Sequence, residues 1–141
     1  MICTFFGHRD APSSLMESIR KEIIKLINSG VKDFYVGNNG NFDLLAQAVL
    51  SELLKENKGI SCRIVLSYLG ERALCGNQGL TVFPEELAGV MKKFAIAKRN
   101  EYLLKKASVV IAYSKHSFSN SYKWIENART RGLTIINMAD N

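Results

Sequence analysis

Two short stretches carry residue types suited to holding an anion. Gly37-Asn38-Asn39-Gly40-Asn41-Phe42-Asp43 sets two glycines and three asparagines between a β-rich run, Phe34-Tyr35-Val36, and an amphipathic stretch that begins near Phe42. Glycine and asparagine tolerate positive φ and let a backbone approach a ligand closely. A loop of this kind opening a helix offers free backbone N–H groups and the positive end of a helix dipole, the chemistry of phosphate binding. The same residues also suit a plain strand-to-helix turn, so both readings stand.

The second stretch is Gly7-His8-Arg9-Asp10, which follows the apolar run Ile2-Cys3-Thr4-Phe5-Phe6. Arg9 after a strand and a glycine can pair bidentately with a phosphate, or with Asp10 or Asp43. His8 can donate to a phosphate, move a proton near neutral pH, or close the loop with a structural hydrogen bond. Asp43 at the start of its helix can cap exposed N–H groups, hold a ribose hydroxyl, or activate water. Catalysis demands a tuned pKa as well, so capping or ribose binding ranks above it. His116 has no sequence neighbour suggesting a metal and reads as a solvated loop residue. No metal site is expected.

The elements that must position these residues alternate regularly. Ile2 to Phe6 reads as a buried strand, and Pro12-Ser13-Ser14 opens a helix. Leu15, Ile19, Ile23, Leu26 and Ile27 share one face of that helix, which Asn28-Ser29-Gly30 ends. Phe42, Leu45, Ala46, Val49 and Leu53 form the stripe of a second helix, closed by Asn57-Lys58-Gly59. Cys62 to Leu66 is a third strand, and the aperiodic, glycine-containing stretch 67–80 reads as a mobile loop, a candidate lid. Thr81 to Leu87 reads as a short strand or a turn. A helix from Phe94 to Lys106, a strand from Ser108 to Tyr113, a polar loop, a helix through Tyr122, Ile125 and Ala128, and a strand at Leu133 to Ile136 complete the chain.

Strands alternating with helices predict an α/β fold, a Rossmann-like three-layer sandwich with a mostly parallel sheet of about five strands, in one domain over 1–141. Ligands of such sheets bind beyond the carboxyl ends of the strands, near the switch in strand order. The loops 7–10, 37–43, 67–80 and 114–121 all fall on that edge.

Hydrophobic residues make up 47% of the chain and charged ones 23%, ordinary for a globular protein. The longest apolar runs are far too short for a membrane span, and Met1 leads into the first strand without a basic flank. A cytoplasmic protein with no membrane partner is therefore expected. Cys3, Cys62 and Cys75 form no C-x-x-C pair and read as free thiols. The net charge is +6, and ten Lys or Arg between Lys92 and Arg131 face Glu101 and Glu126 alone. Such a basic half suits nucleic acid, an acidic surface or a small phosphorylated ligand. Without aromatic interleaving, the small anion ranks first.

Four marks together resemble the SLOG superfamily, the Smf/DprA–LOG group of Rossmann-like domains, and within it the small stand-alone bacterial YpsA-like members. They are the strand into Gly7-His8-Arg9, the 37–43 loop, Lys98-Arg99-Asn100, and Ser108 to Tyr113 followed by a polar loop and helix. The resemblance implies a nucleotide-derived ligand across the first, second and fourth loops, with Arg99 reaching it. In several branches it also implies N-glycosidic hydrolysis. One departure matters. Where the hydrolase branch carries P-G-G-x-G-T-x-x-E, this chain reads Ser117-Phe118-Ser119-Asn120-Ser121-Tyr122, with Trp124 at the position of the glutamate. Phosphate binding can persist there through Ser119 and Ser121.

The expected phosphate-facing rim is thus Gly7, Arg9, Gly37, Gly40, Ser119 and Ser121, with Asp43 near a ribose. His8, Asn38 and Arg99 complete the candidate ligand-binding set. The expected function is binding of a nucleotide or nucleotide-derived small molecule, in a sensor or regulatory role. One alternative is a nucleotide N-glycosidase or phosphoribohydrolase using Asp43, or a glutamate at Glu71 or Glu85-Glu86. Another is a single-stranded nucleic-acid binder. The cofactor is left unassigned. A homodimer is expected by resemblance alone.

Overall fold

The computed structural model describes residues 1–57, 59–69 and 80–140, with Leu80 and Asp140 described in their backbone. The stretch read as a lid, with Glu71 and Cys75, lies largely outside the described residues. The strands are β1 (Ile2–Gly7), β2 (Asp33–Val36), β3 (Ser61–Val65), β4 (Leu80–Val82), β5 (Val109–Tyr113) and β6 (Thr134–Asn137). The helices are α1 (Met16–Asn28), α2 (Asn41–Glu56), α3 (Lys92–Lys106) and α4 (Asn120–Thr130). All the strands join one parallel sheet in the order β4-β3-β2-β1-β5-β6. The α/β Rossmann-like sandwich expected from the sequence is the fold. The count of about five strands becomes six, because Leu80–Val82 pairs with Arg63–Val65 as an edge strand. Three residues are too few to show a period in sequence.

The central strands β1 and β5 are buried on both faces, which is why they read as unbroken apolar runs. Alternation then divides them between two cores. Cys3, Phe5, Val109 and Ile111 pack with Phe34 and Val36 against Ile19 and Ile23 of α1 and Val49 and Leu50 of α2. Phe6, Val110 and Ala112 face the opposite way, onto Leu103 and Leu104 of α3 and Trp124, Ile125 and Ala128 of α4. Thr4, fully buried, satisfies its hydroxyl by donating to the Tyr35 carbonyl at 2.8 Å, so its burial leaves no unpaired donor. Burial also pushes the Cys3 thiol pKa up, in keeping with an inert core cysteine. Among the described residues, no helix is long and apolar enough to cross a membrane.

The loops after β1 and β2 are stitched together. The Asn41 backbone N–H donates to the Arg9 carbonyl at 2.8 Å, and its side-chain amide donates to the Ala11 carbonyl. Gly40, the residue before α2, has φ +92°, and a Cβ there would lie 2.6 Å from the Arg9 Cα. Gly30, just past the end of α1, also has positive φ (+105°), but a Cβ there would meet open space. Gly30→Ala should therefore cost backbone strain alone, about 1–2 kcal/mol. Gly40→Ala adds a clash with main chain and should cost about 3 kcal/mol or more. Urea unfolding of the two variants checks this ordering. Equal losses would show that the two loops do not need their close contact.

Candidate functional site

The connection after β1 runs to α1 on one face, and the connection after β5 runs to α4 on the other. The two neighbouring strands therefore part company at their carboxyl ends, Gly7 and Tyr113, and a crevice opens between their loops. It encloses about 420 Å³, within the range of small-molecule sites. Phe42, in the core, packs behind the wall residue Gly7. A Cβ on Gly7 would fall 2.3 Å from its ring, and the ring stacks on Tyr113 at 6.4 Å. Trp124, stacked on Phe6 with centroids 6.2 Å apart, is both core and crevice wall.

The floor is polar and buried. Arg99 is 3% exposed, and its Nε donates to Asn100 Oδ1 at 2.9 Å while Nη1 donates to the Val65 carbonyl at 3.3 Å. Its guanidinium and the Asp43 carboxylate sit side by side over Gly37, where a Cβ would lie 2.7 Å from Arg99 Nη1 and 2.8 Å from Asp43 Oδ2. That oxygen also accepts from the Asn39 N–H at 2.9 Å. From the first turn of α2, Asp43 thus reaches back past the N-cap Gly40 to the loop before the helix, and α2 has no side-chain cap. Arg99 and Asn100 face inward while Phe94 and Ile96 of the same helix are exposed, so the front of α3 is inverted relative to a core-facing helix.

Charge is concentrated here. Among the described residues, the cations lining the crevice are Arg9, Lys93, Arg99 and Lys123, against Asp43 as the one carboxylate. Opposing walls of like charge in a concave, partly apolar site focus a positive potential on whatever enters.

Of the sequence-predicted residues, Gly7, Arg9, Asp43, Arg99 and Ser121 come together around this crevice. Gly37 lies beneath the Arg99–Asp43 pair, and Gly40 packs on Arg9. Asn38 is buried, its Oδ1 accepting from Gln47 Nε2 at 3.0 Å, and the same amide donates to the Gly37 carbonyl at 2.9 Å. Ser119 is the N-cap of α4, accepting from the Tyr122 N–H at 3.2 Å. The backbone amides of Asn39 and Asn41, expected to be free for an anion, are spent on Asp43 and Arg9. Cationic side chains therefore carry the positive character of the site more than loop amides do.

The sequence reading passed over Gln47, Asn39, Lys93 and Lys123. Gln47 had a signal: a glutamine on the apolar side of α2, one turn after Asp43, is a buried amide in need of partners. The two lysines had none, since exposed lysines on α3 and α4 look like solvated faces until the crevice between those helices is seen.

His8 does not line the crevice but a second, smaller cleft of about 240 Å³, shared with Asp10, Tyr113, Lys115 and His116. Its Nε2 accepts from the Lys115 N–H at 2.9 Å, which assigns the proton to Nδ1, 3.3 Å from Ser121 Oγ. His8 thereby ties the β1 loop to the start of α4. The His116 ring, remote in sequence, lies 5.8 Å from it. No cluster of three or more potential metal ligands occurs among the described residues.

No protein-family model matches this sequence, and no curated protein matches it either.

Burial holds the His8 pKa below its ordinary 6.5; Asp10 opposes the shift, and His116 and Lys115 reinforce it. The folded state thus binds this proton more weakly than the unfolded chain, and stability must fall as acid is added. The His8 contribution should be complete above pH 6.5 and should diminish as pH drops through the lower, folded value. Urea midpoints at pH 7.5 and 5.5 check this, with the decline smaller in His8→Asn. An equal decline in the variant would clear His8 of the effect.

Proposed function

We propose that the crevice binds a nucleotide or nucleotide-derived small molecule through its phosphate, as a SLOG-like domain in a sensing or regulatory role. The observation that carries this reading is the convergence of Arg9, Lys93, Arg99 and Lys123 on one crevice at the switch between β1 and β5. Arg9 is exposed at the rim, free to swing onto a phosphate and grip it bidentately. Lys93 and Lys123 add point charges from α3 and α4. Asp43, Asn39 and Asn100 offer acceptors and donors of the kind that ribose hydroxyls need.

Binding is favoured over hydrolysis by the state of Asp43. One of its oxygens is already held by the Asn39 N–H, and no second carboxylate lines the crevice among the described residues. Glycoside cleavage ordinarily sets two carboxylates across the scissile bond. Glu85 and Glu86, candidates for that part, are exposed beyond β4 and do not line the crevice.

Calorimetric titration with nucleoside 5′-monophosphates, ADP-ribose and NAD tests the reading. Arg9→Ala should weaken the best of them by about 1.5–3 kcal/mol, the worth of a charge-assisted hydrogen bond, with the melting temperature unchanged. Unaltered affinity would remove Arg9 from the site. Free base should not accumulate during the titration. Its release by the wild type, and not by Asp43→Asn, would replace binding with hydrolysis.

A further inference from the structure

Ser121, in the first turn of α4, is buried and lines the crevice with Arg9 and Lys123. A hydroxyl carries one proton and two lone pairs, so its neighbours decide which of these it can offer a ligand. Two polar atoms lie within reach of Ser121 Oγ: His8 Nδ1 at 3.3 Å and Ser119 Oγ at 3.2 Å. The role of each is fixed by its other bonds. The Lys115 N–H occupies the lone pair of His8 Nε2 at 2.9 Å, so the neutral ring carries its proton on Nδ1 and donates to Ser121.

Ser119 gives its own proton to the His116 carbonyl at 2.8 Å. Its oxygen accepts from the Tyr122 N–H at 3.2 Å and from the Ser114 hydroxyl at 2.9 Å, which fills both lone pairs. The His116 carbonyl is a second acceptor for Ser114, but at 3.4 Å it is the more distant one. Ser121 thus receives a hydrogen bond from His8, and no other acceptor within the protein takes its proton among the described residues. That proton is left for the crevice.

The ring that imposes this polarity sits outside the crevice and is held neutral. Asp10 on its own loop, Tyr113 of β5, and Lys115 and His116 of the β5–α4 connection surround it. Burial, reinforced by His116 and Lys115, outweighs Asp10 and lowers the His8 pKa. A proton on Nε2 would also meet the Lys115 N–H head on, so the neutral ring keeps one tautomer.

We propose that His8 is a positioning residue for anion binding: by donating to Ser121 from the neighbouring cleft, it makes the Ser121 hydroxyl a donor to a phosphate oxygen in the crevice. The inference rests on the phosphate reading of the crevice and adds how one of its uncharged donors is oriented. A hydroxyl that turns at will presents lone pair and proton alike to an anion, and must lose that freedom when the anion arrives. Here the polarity is set beforehand. The two nitrogens of His8 have separate tasks. Nε2 ties the β1 loop to the β5–α4 connection, and Nδ1 orders the site.

Amide side chains separate these tasks. Asparagine can place an N–H donor where Nδ1 stands, and glutamine can reach the Lys115 N–H with its carbonyl oxygen. The experiment is calorimetric titration at pH 7.5 of wild type, Ser121→Ala, His8→Gln, His8→Asn and the double variant Ser121→Ala/His8→Gln with adenosine 5′-monophosphate and ribose 5-phosphate, with melting temperatures measured alongside. Ser121→Ala should weaken both ligands about tenfold, the loss of a hydrogen bond to a charged group. His8→Gln should weaken both about threefold or more while keeping most of the stability. His8→Asn should melt lower and yet recover most of the affinity. In the double variant His8→Gln should add no loss to that of Ser121→Ala. Affinities that follow the melting temperatures, or losses that add in the double variant, overturn the positioning role. Unchanged binding by Ser121→Ala overturns it too and leaves the crevice reading intact. Failure of the wild type to bind either ligand overturns both together.

Discussion

The site depends on side chains sitting directly on backbone that has no Cβ to keep them away. At Gly7 the absent Cβ makes room for the Phe42 ring, at Gly37 for the Arg99 guanidinium and Asp43 carboxylate, and at Gly40 for the main chain of Arg9. Each contact draws together loops that follow different strands. Phe42 brings α2 over the end of β1. Arg99 brings α3 over the end of β2. Gly40 brings the β2–α2 loop under the β1–α1 loop. Were any of the three residues larger, the crevice walls would stand further apart and their charges would not converge.

That convergence runs against the stability of the domain. Taking charges such as Arg99 and Asp43 out of water costs several kcal/mol per ion unless hydrogen bonds and an opposite charge offset it. The structure supplies the offset by drawing on nearby groups. Arg99 is held by Asn100 and the Val65 carbonyl, Asp43 by the Asn39 N–H, and the loop beneath them by Gln47. A helix front built for packing would turn Phe94 and Ile96 inward. In α3 those positions are exposed and the polar residues are buried, an arrangement that a core alone does not explain.

Much of this could be read from the sequence because the signals were local. The unbroken runs at β1 and β5, the helical stripe of α1 and the glycine-rich turn after β2 each follow from the period or the conformational freedom of a few adjacent residues. What stayed hidden was set by distance. Arg99 and Asn100 fall at helical spacing between Ile96 and Leu103, so periodicity assigned them no face; the answer came from Gly37, far away in the chain. His8 offered three roles in sequence, and the hydrogen bond from the Lys115 N–H that ties its loop to the β5–α4 connection could be found only in three dimensions. β4 was legible only as a short strand or a turn within Thr81 to Leu87, because three residues are too few to carry a period. Lys93 and Lys123 acquire meaning only when α3 and α4 pack on the same sheet face.

The start of α4 shows how local chemistry decides between two ways of holding an anion. A glycine-rich turn at a helix N-terminus leaves backbone N–H groups bare for a ligand. Here Ser119 caps the helix with its own hydroxyl oxygen, which takes the Tyr122 N–H that such a turn would leave open. The same holds at α2, where Asp43 and the Arg9 carbonyl take the Asn39 and Asn41 amides. With the Asn39, Asn41 and Tyr122 amides taken by the fold, the positive charge around the crevice rests on side chains: Arg9 at the rim and Lys93 and Lys123 on the walls. A cradle of amides fixes a phosphate in one geometry, whereas flexible cations accept several. On the proposed reading, such a site recognises charge first and leaves shape discrimination to its uncharged walls.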